Sequence, residues 1–308
     1  MPLRPSFLVP LLVSAACADP SQGASAPHAL LFDGDAEGAS QVFEADVARR
    51  RIVPLQGLTG HRVRPSPDGE RLVLQHPATA AEASYLEILL PGADAPVRFE
   101  GTTFSLEREA TWSPDGARLA FTSTRDAPMA DILVADVAGS ALSGVTNLTA
   151  DAGALVSDVT PAWSPDGAWI AFTSYRGGDV AIWKMRPDGS GLAKLTAGDG
   201  DDYFPAWSPD GAHLAFQRNT PRGRGVHWAL GIVSAEGGEP TFVPFDGKLG
   251  NPAWHPEDPG LIAAVAEVDG ERDVVVVTPA GELVARLARA GDDRHPAWRR
   301  VAPAPHGD

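Results

Sequence analysis

The chain has 308 residues, of which 44% are hydrophobic and 7% aromatic, and this composition excludes an intrinsically disordered chain and a membrane-embedded helical bundle. Its formal net charge of −15 disfavours binding to nucleic acid and favours cations or basic partners, although the same charge also serves solubility alone. The 32 glycines and 28 prolines recur at intervals along the chain, which predicts many short strands joined by turns.

The first predicted elements are an export signal and an anchor. Residues 1–16 form a predicted signal peptide, because Arg4 precedes an apolar stretch at 7–13 that is too short to span a bilayer. Small residues precede Cys17, the only cysteine, and this pattern resembles a bacterial lipobox, so Cys17 is the predicted lipidation site. Ser14 stands where a leucine is usual, so ordinary signal cleavage without lipidation is the alternative. Residues 17–27 are predicted to form a flexible tether.

A repeated motif dominates the chain from residue 28 to residue 300. Its clearest copies, at 110–123, 161–174 and 205–217, share a tryptophan, the turn sequence Ser-Pro-Asp-Gly and an apolar strand that contains Ala-Phe. The position of the tryptophan recurs at 65, 112, 163, 207, 254 and 298, with a proline at 65, so the spacing is 44 to 51 residues. This spacing is typical of the blades of a β-propeller.

Each repeat predicts four strands, and the chain ends predict how the ring of blades closes. The last copy, at 296–298, leaves no room for three further strands, while three unassigned strands are predicted at 28–32, 41–47 and 51–55. The sequence therefore predicts an all-β, six-bladed propeller of four-stranded blades. The C-terminal strand is expected to be innermost in a blade that the N-terminal strands complete, with residues 301–308 as a disordered tail.

The motif Pro-Ala-Trp-Ser-Pro-Asp-Gly, followed by Ile-Ala-Phe and an Asp-Gly-Ser turn, resembles the repeat of TolB-type propellers. The resemblance covers essentially all of 28–300 and implies an envelope location and a protein-binding role. TolB itself belongs to the Tol-Pal envelope system and carries an amino-terminal α/β domain ahead of its propeller. This chain is expected to be a propeller-only relative, for which direct participation in that system is not expected. The Ser-Pro-Asp-Gly segment is predicted to be a structural turn.

Candidate site residues come from the segment that precedes each inner strand, because these segments are expected to surround the mouth of the central channel. Three places before the Pro-Ala-Trp position, four of the six repeats carry an acidic residue: Glu107, Asp158, Asp202 and Asp293. Converging carboxylates repel one another unless a cation or a basic group screens them. They predict a site for a basic protein segment or for Ca²⁺, with Asp158, Asp202 and Asp293 as candidate ligands. The alternative is that each carboxylate caps its own loop.

Neighbouring residues add further candidates for ligand contact at the same mouth, namely Tyr203, Arg294 and His295. His61 and His295 occupy similar channel-side positions, so an enzyme with a histidine or metal site built across blades, such as a glycan lyase or hydrolase, is the alternative function. No Gly-x-Ser-x-Gly hydrolase motif is present. The favoured interpretation is a monomeric, non-enzymatic lipoprotein of the bacterial periplasm or outer membrane. It is expected to bind an envelope protein or peptide without a cofactor and without nucleic acid.

Overall fold

The computed structural model describes residues 28–36, 39–79, 82–91, 96–100, 105–138, 141–152, 155–222 and 225–301. The predicted signal peptide, Cys17, the tether and residues 302–308 lie outside this part of the chain. Twenty-four strands form six separate four-stranded antiparallel sheets. The six-bladed prediction is therefore confirmed.

Blade 1 is the composite blade. Its strand order is β24 (Asp293–Arg300), β1 (His28–Ala36), β2 (Ala39–Asp46) and β3 (Arg51–Thr59). His28 of β1 pairs with Arg300 of β24, and Leu30 pairs with Trp298. The C-terminal strand is thus the first strand of the sheet that the N-terminal strands complete, as the sequence predicts.

Blades 2 to 4 are continuous in sequence. Blade 2 contains β4 (His61–Pro65), β5 (Leu72–His76), β6 (Tyr85–Leu89) and β7 (Val97–Glu100). Blade 3 contains β8 (Glu107–Trp112), β9 (Arg118–Ser123), β10 (Asp131–Ala138) and β11 (Ala141–Asn147). Blade 4 contains β12 (Asp158–Trp163), β13 (Ile170–Ser174), β14 (Ala181–Met185) and β15 (Ala193–Lys194). Two short 3₁₀ turns lie at Ala150–Ala152 and Arg176–Gly178.

Blades 5 and 6 are also continuous. Blade 5 contains β16 (Asp201–Trp207), β17 (His213–Arg222), β18 (Gly225–Ser234) and β19 (Thr241–Phe242). Blade 6 contains β20 (Lys248–Trp254), β21 (Ile262–Val268), β22 (Glu271–Val277) and β23 (Leu283–Leu287). The inner strands are β24, β4, β8, β12, β16 and β20, and each contacts the inner strand of the next blade all the way around the ring.

The hydrophobic core is divided among the six interfaces between neighbouring blades. Six clusters of buried side chains are present, and each draws its members from two adjacent blades. At the interface of blades 3 and 4, for example, Ile132 of blade 3 packs with Phe172 and Trp163 of blade 4. A single four-stranded sheet buries neither of its faces alone, so every blade depends on both neighbours.

The repeated tryptophan joins adjacent inner strands. The indole Nε1 of Trp112 donates to the Arg64 carbonyl at 3.1 Å, Trp207 donates to the Ala162 carbonyl at 3.0 Å, and Trp298 donates to the Ala253 carbonyl at 3.0 Å. Each acceptor lies in the preceding blade. In these three blades the tryptophan therefore contributes both apolar packing and a specific hydrogen bond to the contact between blades, whereas Trp254 donates to the Pro259 carbonyl of its own blade.

The Ser-Pro-Asp-Gly segments are structural turns, as expected. In blade 4, Ser164 Oγ donates to Asp166 Oδ1 at 2.6 Å and accepts the Trp169 amide at 2.9 Å, while Asp166 Oδ1 also accepts the Ala168 amide. Gly167 has a φ of 71°, which an L-residue rarely adopts. These bonds satisfy the polar groups of the turn within the blade.

Ring closure generates the first prediction. A chain truncated before Asp293 lacks β24, so Leu30 loses its partner strand and the clusters on both sides of blade 1 open. Compared with a chain truncated after Val301, which keeps β24, its melting temperature should fall by about 10 °C or more, because several kcal/mol of packing are lost. Circular dichroism melts of the two proteins measure the difference. Equal melting temperatures would contradict the composite blade.

Candidate functional site

A β-bulge interrupts every inner strand near its beginning, and it places one residue of each blade at the channel. The pairing with the second strand of the blade shifts register at this point in all six sheets. The bulged residues have φ angles of 49° to 57° although none is glycine; they are Arg62, Glu109, Thr160, Phe204, Asn251 and His295, here called the channel ring. Such a conformation costs about 1 kcal/mol or more per residue and persists only where packing imposes it.

The bulged backbone is held by side chains from the preceding blade. In the four cases that follow, the acceptor lies in the second strand of the preceding blade, directly after a buried apolar residue. The amide of Arg62 donates to Asp33 Oδ1 at 2.9 Å, that of Glu109 to Gln75 Oε1 at 3.2 Å, that of Thr160 to Thr122 Oγ1 at 3.1 Å, and that of Asn251 to Gln217 Oε1 at 3.1 Å. These bonds satisfy amides that the bulge removes from the strand ladder and also link adjacent blades.

The inner strands enclose a central cavity of about 330 Å³. Its wall is made mainly of prolines, alanines and tryptophans from the six Pro-Ala-Trp positions, together with the channel ring except His295. Among the residues that line it, the formally charged side chains are Arg62, Arg64 and Glu109. Arg62 Nη2 lies 3.7 Å from Glu109 Oε1, and its guanidinium lies 5.0 Å from the ring centroid of Phe204, which belongs to the opposite blade. Arg62 therefore reaches across the mouth of the channel.

A buried carboxylate joins two histidines beside this mouth. Asp33 accepts hydrogen bonds from His295 Nδ1 at 3.0 Å and from His61 Nδ1 at 3.3 Å, in addition to the Arg62 amide. Burial alone raises the pKa of Asp33, but His295 and the bonds from His61 and Arg62 hold it below its ordinary value. Burial, followed by the charge of Arg62, lowers the pKa of His295 to about 4. His295 is thus neutral at pH 7, with its proton on Nδ1 directed to Asp33.

The four acidic positions from the sequence are buried, and each lies against an arginine, which for Asp293 belongs to the connection between blades 6 and 1. Glu107 Oε1 lies 3.1 Å from Arg125 Nη2 and also accepts Ser123 Oγ; Asp158 Oδ2 pairs with Arg176; Asp202 accepts Arg218 Nε and Nη2, both at 2.7 Å; Asp293 Oδ1 lies 2.6 Å from Arg289 Nε. The four carboxylate residues are no more than 1% exposed. The guanidinium groups screen these carboxylates.

Asp293 is the least compensated of the four carboxylates. Arg289 Nε is close, but neither oxygen of Asp293 has a hydrogen-bond donor among the described residues. Burial raises the pKa of Asp293 to about 7, with Asp273 and Asp33 adding to the effect and Arg289 opposing it. Gly34, the strand partner of Asp293, leaves the room that Arg289 occupies, since a Cβ there would lie 1.8 Å from Nη2.

These positions correct the sequence-based picture of converging carboxylates at an acidic channel mouth. Glu107, Asp158, Asp202 and Asp293 lie two residues before the channel ring, and the intervening bulge breaks the alternation on which the prediction relied. Among the described residues, no three His, Cys, Asp or Glu side chains lie close enough together to hold a metal ion. A Ca²⁺ ion bound by Asp158, Asp202 and Asp293 remains a prediction to which the geometry adds no support.

The other predicted site residues have different surroundings. His295 belongs to the channel ring, whereas Arg294 Nη2 lies 2.7 Å from Asp35 Oδ2 at the surface. The members of the channel ring lie three residues before each tryptophan position. They could therefore have been located in the sequence, but only with knowledge of the bulge. Its members differ in chemistry from blade to blade, so no repeated residue type marks it.

Tyr203 lines a groove that begins at the channel mouth. The groove, of about 520 Å³, crosses the starts of the inner strands of blades 3 to 5 and shares Glu109, Thr160 and Phe204 with the channel. Apolar and aromatic side chains dominate its wall; they include Met129, Leu155, Tyr175, Tyr203 and Phe204. Leu155 is 86% exposed, Tyr175 41% and Met129 38%, so three large apolar side chains meet solvent within one groove. Such a concentration is typical of interaction surfaces.

A model of the TolB β-propeller domain matches residues 85–302. Among curated proteins, one described as uncharacterized protein Atu1656, from Agrobacterium fabrum, is 39% identical over 94 residues, which is 30% of this chain and 29% of that protein. The Tol-Pal system protein TolB of Syntrophus aciditrophicus is 42% identical over 59 residues, which is 19% of this chain and 13% of that protein. The matched segments span less than a third of either relative.

Solved structures share the fold. TolB from Acinetobacter baumannii superposes with a TM-score of 0.67 at 19% identity, covering 89% of this chain and 67% of that one. A putative TolB from Agrobacterium tumefaciens gives a TM-score of 0.64 at 19% identity, with 88% of this chain and 92% of that one covered. A puromycin-hydrolyzing peptidase of Mycobacterium tuberculosis gives 0.54 at 16% identity and covers 85% of this chain but 46% of the peptidase. The same fold therefore occurs in TolB proteins and in part of a peptidase.

The buried arginine pairs generate the second prediction. Replacing Arg218 by Met leaves Asp202 buried without its partner, which should lower the free energy of unfolding by about 3–5 kcal/mol. The double variant Arg218→Met with Asp202→Leu should recover most of that loss, because no charge is left buried. Lys194→Met is the control, since Lys194 pairs with Asp179 where both side chains are about one-third exposed, and it should cost less than about 1 kcal/mol. Urea unfolding measures all three; equal losses for Arg218→Met and Lys194→Met would contradict the assignment.

Proposed function

We propose that this chain, which belongs to the TolB β-propeller family, is a non-enzymatic protein-binding propeller of the bacterial envelope that holds a segment of a partner in the groove at the channel mouth. The observation that carries the proposal is the groove itself. It exposes Met129, Leu155 and Tyr175 together, and Tyr203 and Phe204 continue the apolar wall to the channel. Exposed aromatic and methionine side chains are characteristic of the centres of protein interfaces.

The occupant that fits the groove is an extended segment with apolar side chains. The two tyrosines meet with their hydroxyl oxygens 3.3 Å apart and their ring centroids 6.5 Å apart, so they form one preformed aromatic wall. Arg108 also lines the groove. The groove therefore offers apolar contact beside one cationic side chain.

The alternative function, an enzyme with a histidine or metal site across blades, has one favourable observation. The structure does bring His61 and His295 of neighbouring blades onto a single carboxylate, Asp33. Their Nδ1 atoms are both engaged by Asp33, and no third ligand completes a metal set among the described residues. The pair also has a structural role, because Asp33 holds the bulge of blade 2 through the Arg62 amide. These contacts favour binding over catalysis.

The third prediction tests the groove in the native host. A photo-cross-linking amino acid at position 155 should form adducts with a discrete partner in envelope preparations. The same residue placed at position 283, where Leu283 is 51% exposed on the outer strand of blade 6, should not form them. Introducing Tyr175→Ser together with the probe at 155 should reduce the adduct several-fold, since the aromatic wall is lost.

Identical adducts from positions 155 and 283, or adducts from 155 that survive Tyr175→Ser unchanged, would contradict a groove-specific partner. Because Leu155 and Tyr175 are exposed, neither change should alter the melting temperature, and a melt of each variant checks this. The comparison therefore separates loss of binding from loss of folding.

We infer an envelope address for this propeller from the sequence around Cys17 and from the family. Among the described residues, no helix is long and apolar enough to cross a membrane. An acyl chain on Cys17 would tether the propeller to the inner or the outer membrane on its periplasmic side, with residues 17–27 as the flexible link.

The fourth prediction concerns this anchor. Metabolic labelling with a clickable fatty acid should label the full chain and place it in the membrane fraction, and Cys17→Ser should abolish both, because the thioether-forming atom is absent. The Cys17→Ser protein should keep its melting temperature. A wild-type protein that is exported but unlabelled would show ordinary signal cleavage, the alternative drawn from Ser14.

A further inference from the structure

The central channel is lined by Arg64, whose guanidinium is only partly engaged by hydrogen bonds within the protein. Of the formally charged side chains that line the 330 Å³ cavity, Arg62 and Arg64 are positive and Glu109 is negative. Glu109 lies 3.7 Å from Arg62, whereas Arg64 is balanced only at longer range, by the charges of Asp33 and Glu109.

Arg64 has hydrogen-bond donors that no described residue uses. Its Nη1 donates to the carbonyl of Val63 at 3.0 Å and to that of His295 at 3.3 Å, but it forms no ion pair with any described residue. Its Nε and Nη2 have no hydrogen-bond acceptor in the described ranges. Burial and the charge of Arg62 lower the pKa of Arg64 to about 10, and the charges of Asp33 and Glu109 oppose this shift. By contrast, Glu107, Asp158, Asp202 and Asp293 all have arginine partners.

The surroundings favour a carboxylate over other anions. The planar guanidinium fork of Arg64 matches a carboxylate in two-point contact. Asn251, a neutral member of the channel ring, has a side-chain amide without a hydrogen-bond partner among the described residues and adds a donor.

We propose that the central channel is a carboxylate-binding site in which Arg64 is the principal ligand and Arg62 closes the mouth. The carboxylate belongs either to a free small acid or to a peptide, as a chain terminus or an acidic side chain. The site is distinct from the groove, although both open at Phe204. The channel volume lies within the range of small-ligand pockets, so a ligand of a few residues fits.

A purely structural role is the competing explanation for Arg64. Its Nη1 bonds join blade 2 to the inner strand of blade 1, so the guanidinium also stabilises the closure of the ring. That role needs no anion and predicts no selective binding. The experiment must therefore measure binding and folding separately.

The test uses three probes on the same protein: acetate, N-acetyl-triglycine with a free carboxylate, and the C-terminal amide of that peptide. Trp163, Trp207, Trp254 and Trp298 line the channel, so tryptophan fluorescence reports occupancy, and melting temperature reports stabilisation by bound ligand. The fifth prediction is that at least one carboxylate probe changes the fluorescence and raises the melting temperature, whereas the amide does neither.

Variants identify the ligand residue. Arg64→Gln should weaken carboxylate binding about ten-fold or more, because a charge-assisted hydrogen bond is lost. Arg64→Lys should bind with intermediate affinity, since it keeps the charge but not the fork. Arg51→Gln, at an exposed arginine on β3, is the matched control and should bind like the wild type.

Each outcome decides the proposal. Binding of acetate alone indicates a free small acid as the natural ligand, and binding of the peptide alone indicates a partner segment; both support the site. Equal binding of peptide acid and amide, or unchanged affinity in a folded Arg64→Gln protein, overturns it. Should Arg64→Gln fail to fold, the ranking of Arg64→Lys below the wild type decides instead. Cross-linking at position 155 is independent of all these results, so failure of the channel site and failure of the groove can be told apart.

Discussion

Burial between neighbouring blades is the interaction on which the whole molecule depends. Each of the six hydrophobic clusters is built from two adjacent sheets, so no blade has a core of its own. A ring is the arrangement in which every sheet has two neighbours, and the pairing of β24 with β1 completes it. The tryptophan hydrogen bonds between inner strands follow from this constraint, because they form only where blades approach at a fixed distance.

The constraint also explains why strained backbone can be maintained at the channel. All six inner strands carry a bulge with a non-glycine residue at positive φ, and in four blades a side chain from the preceding blade accepts the bulged amide. The packing of the ring thus offsets a conformational cost that an isolated sheet would not sustain. The bulge thereby presents one side chain per blade, and the type of this residue differs from blade to blade. Arg62, Phe204 and His295 show how varied these side chains are.

Electrostatics divides the face of the propeller into two kinds of site. The carboxylates next to the ring are buried and each lies against an arginine, so they contribute to structure, whereas Arg64 in the channel lacks an ion-pair partner among the described residues. The groove beside the channel is apolar and exposed. A partner segment lying in the groove would pass Phe204, from which one acidic group could enter the channel. The two surfaces are therefore contiguous but depend on different interactions.

The sequence by itself determined the number of blades, the period of the repeat and the composite closing blade. These features follow from local patterns that recur six times, such as the tryptophan position and the Ser-Pro-Asp-Gly turn, and from the three unpaired strands at the amino end. Only the tertiary structure decided which side chains meet at the channel. A one-residue bulge is invisible in the pattern, yet it turns Thr160 to the channel and His295 to Asp33, while Asp158 and Asp293 lie two residues earlier against arginines. The partner of Asp158 lies in a 3₁₀ turn and that of Asp293 four residues earlier, and the spacing of residues along one strand reveals neither.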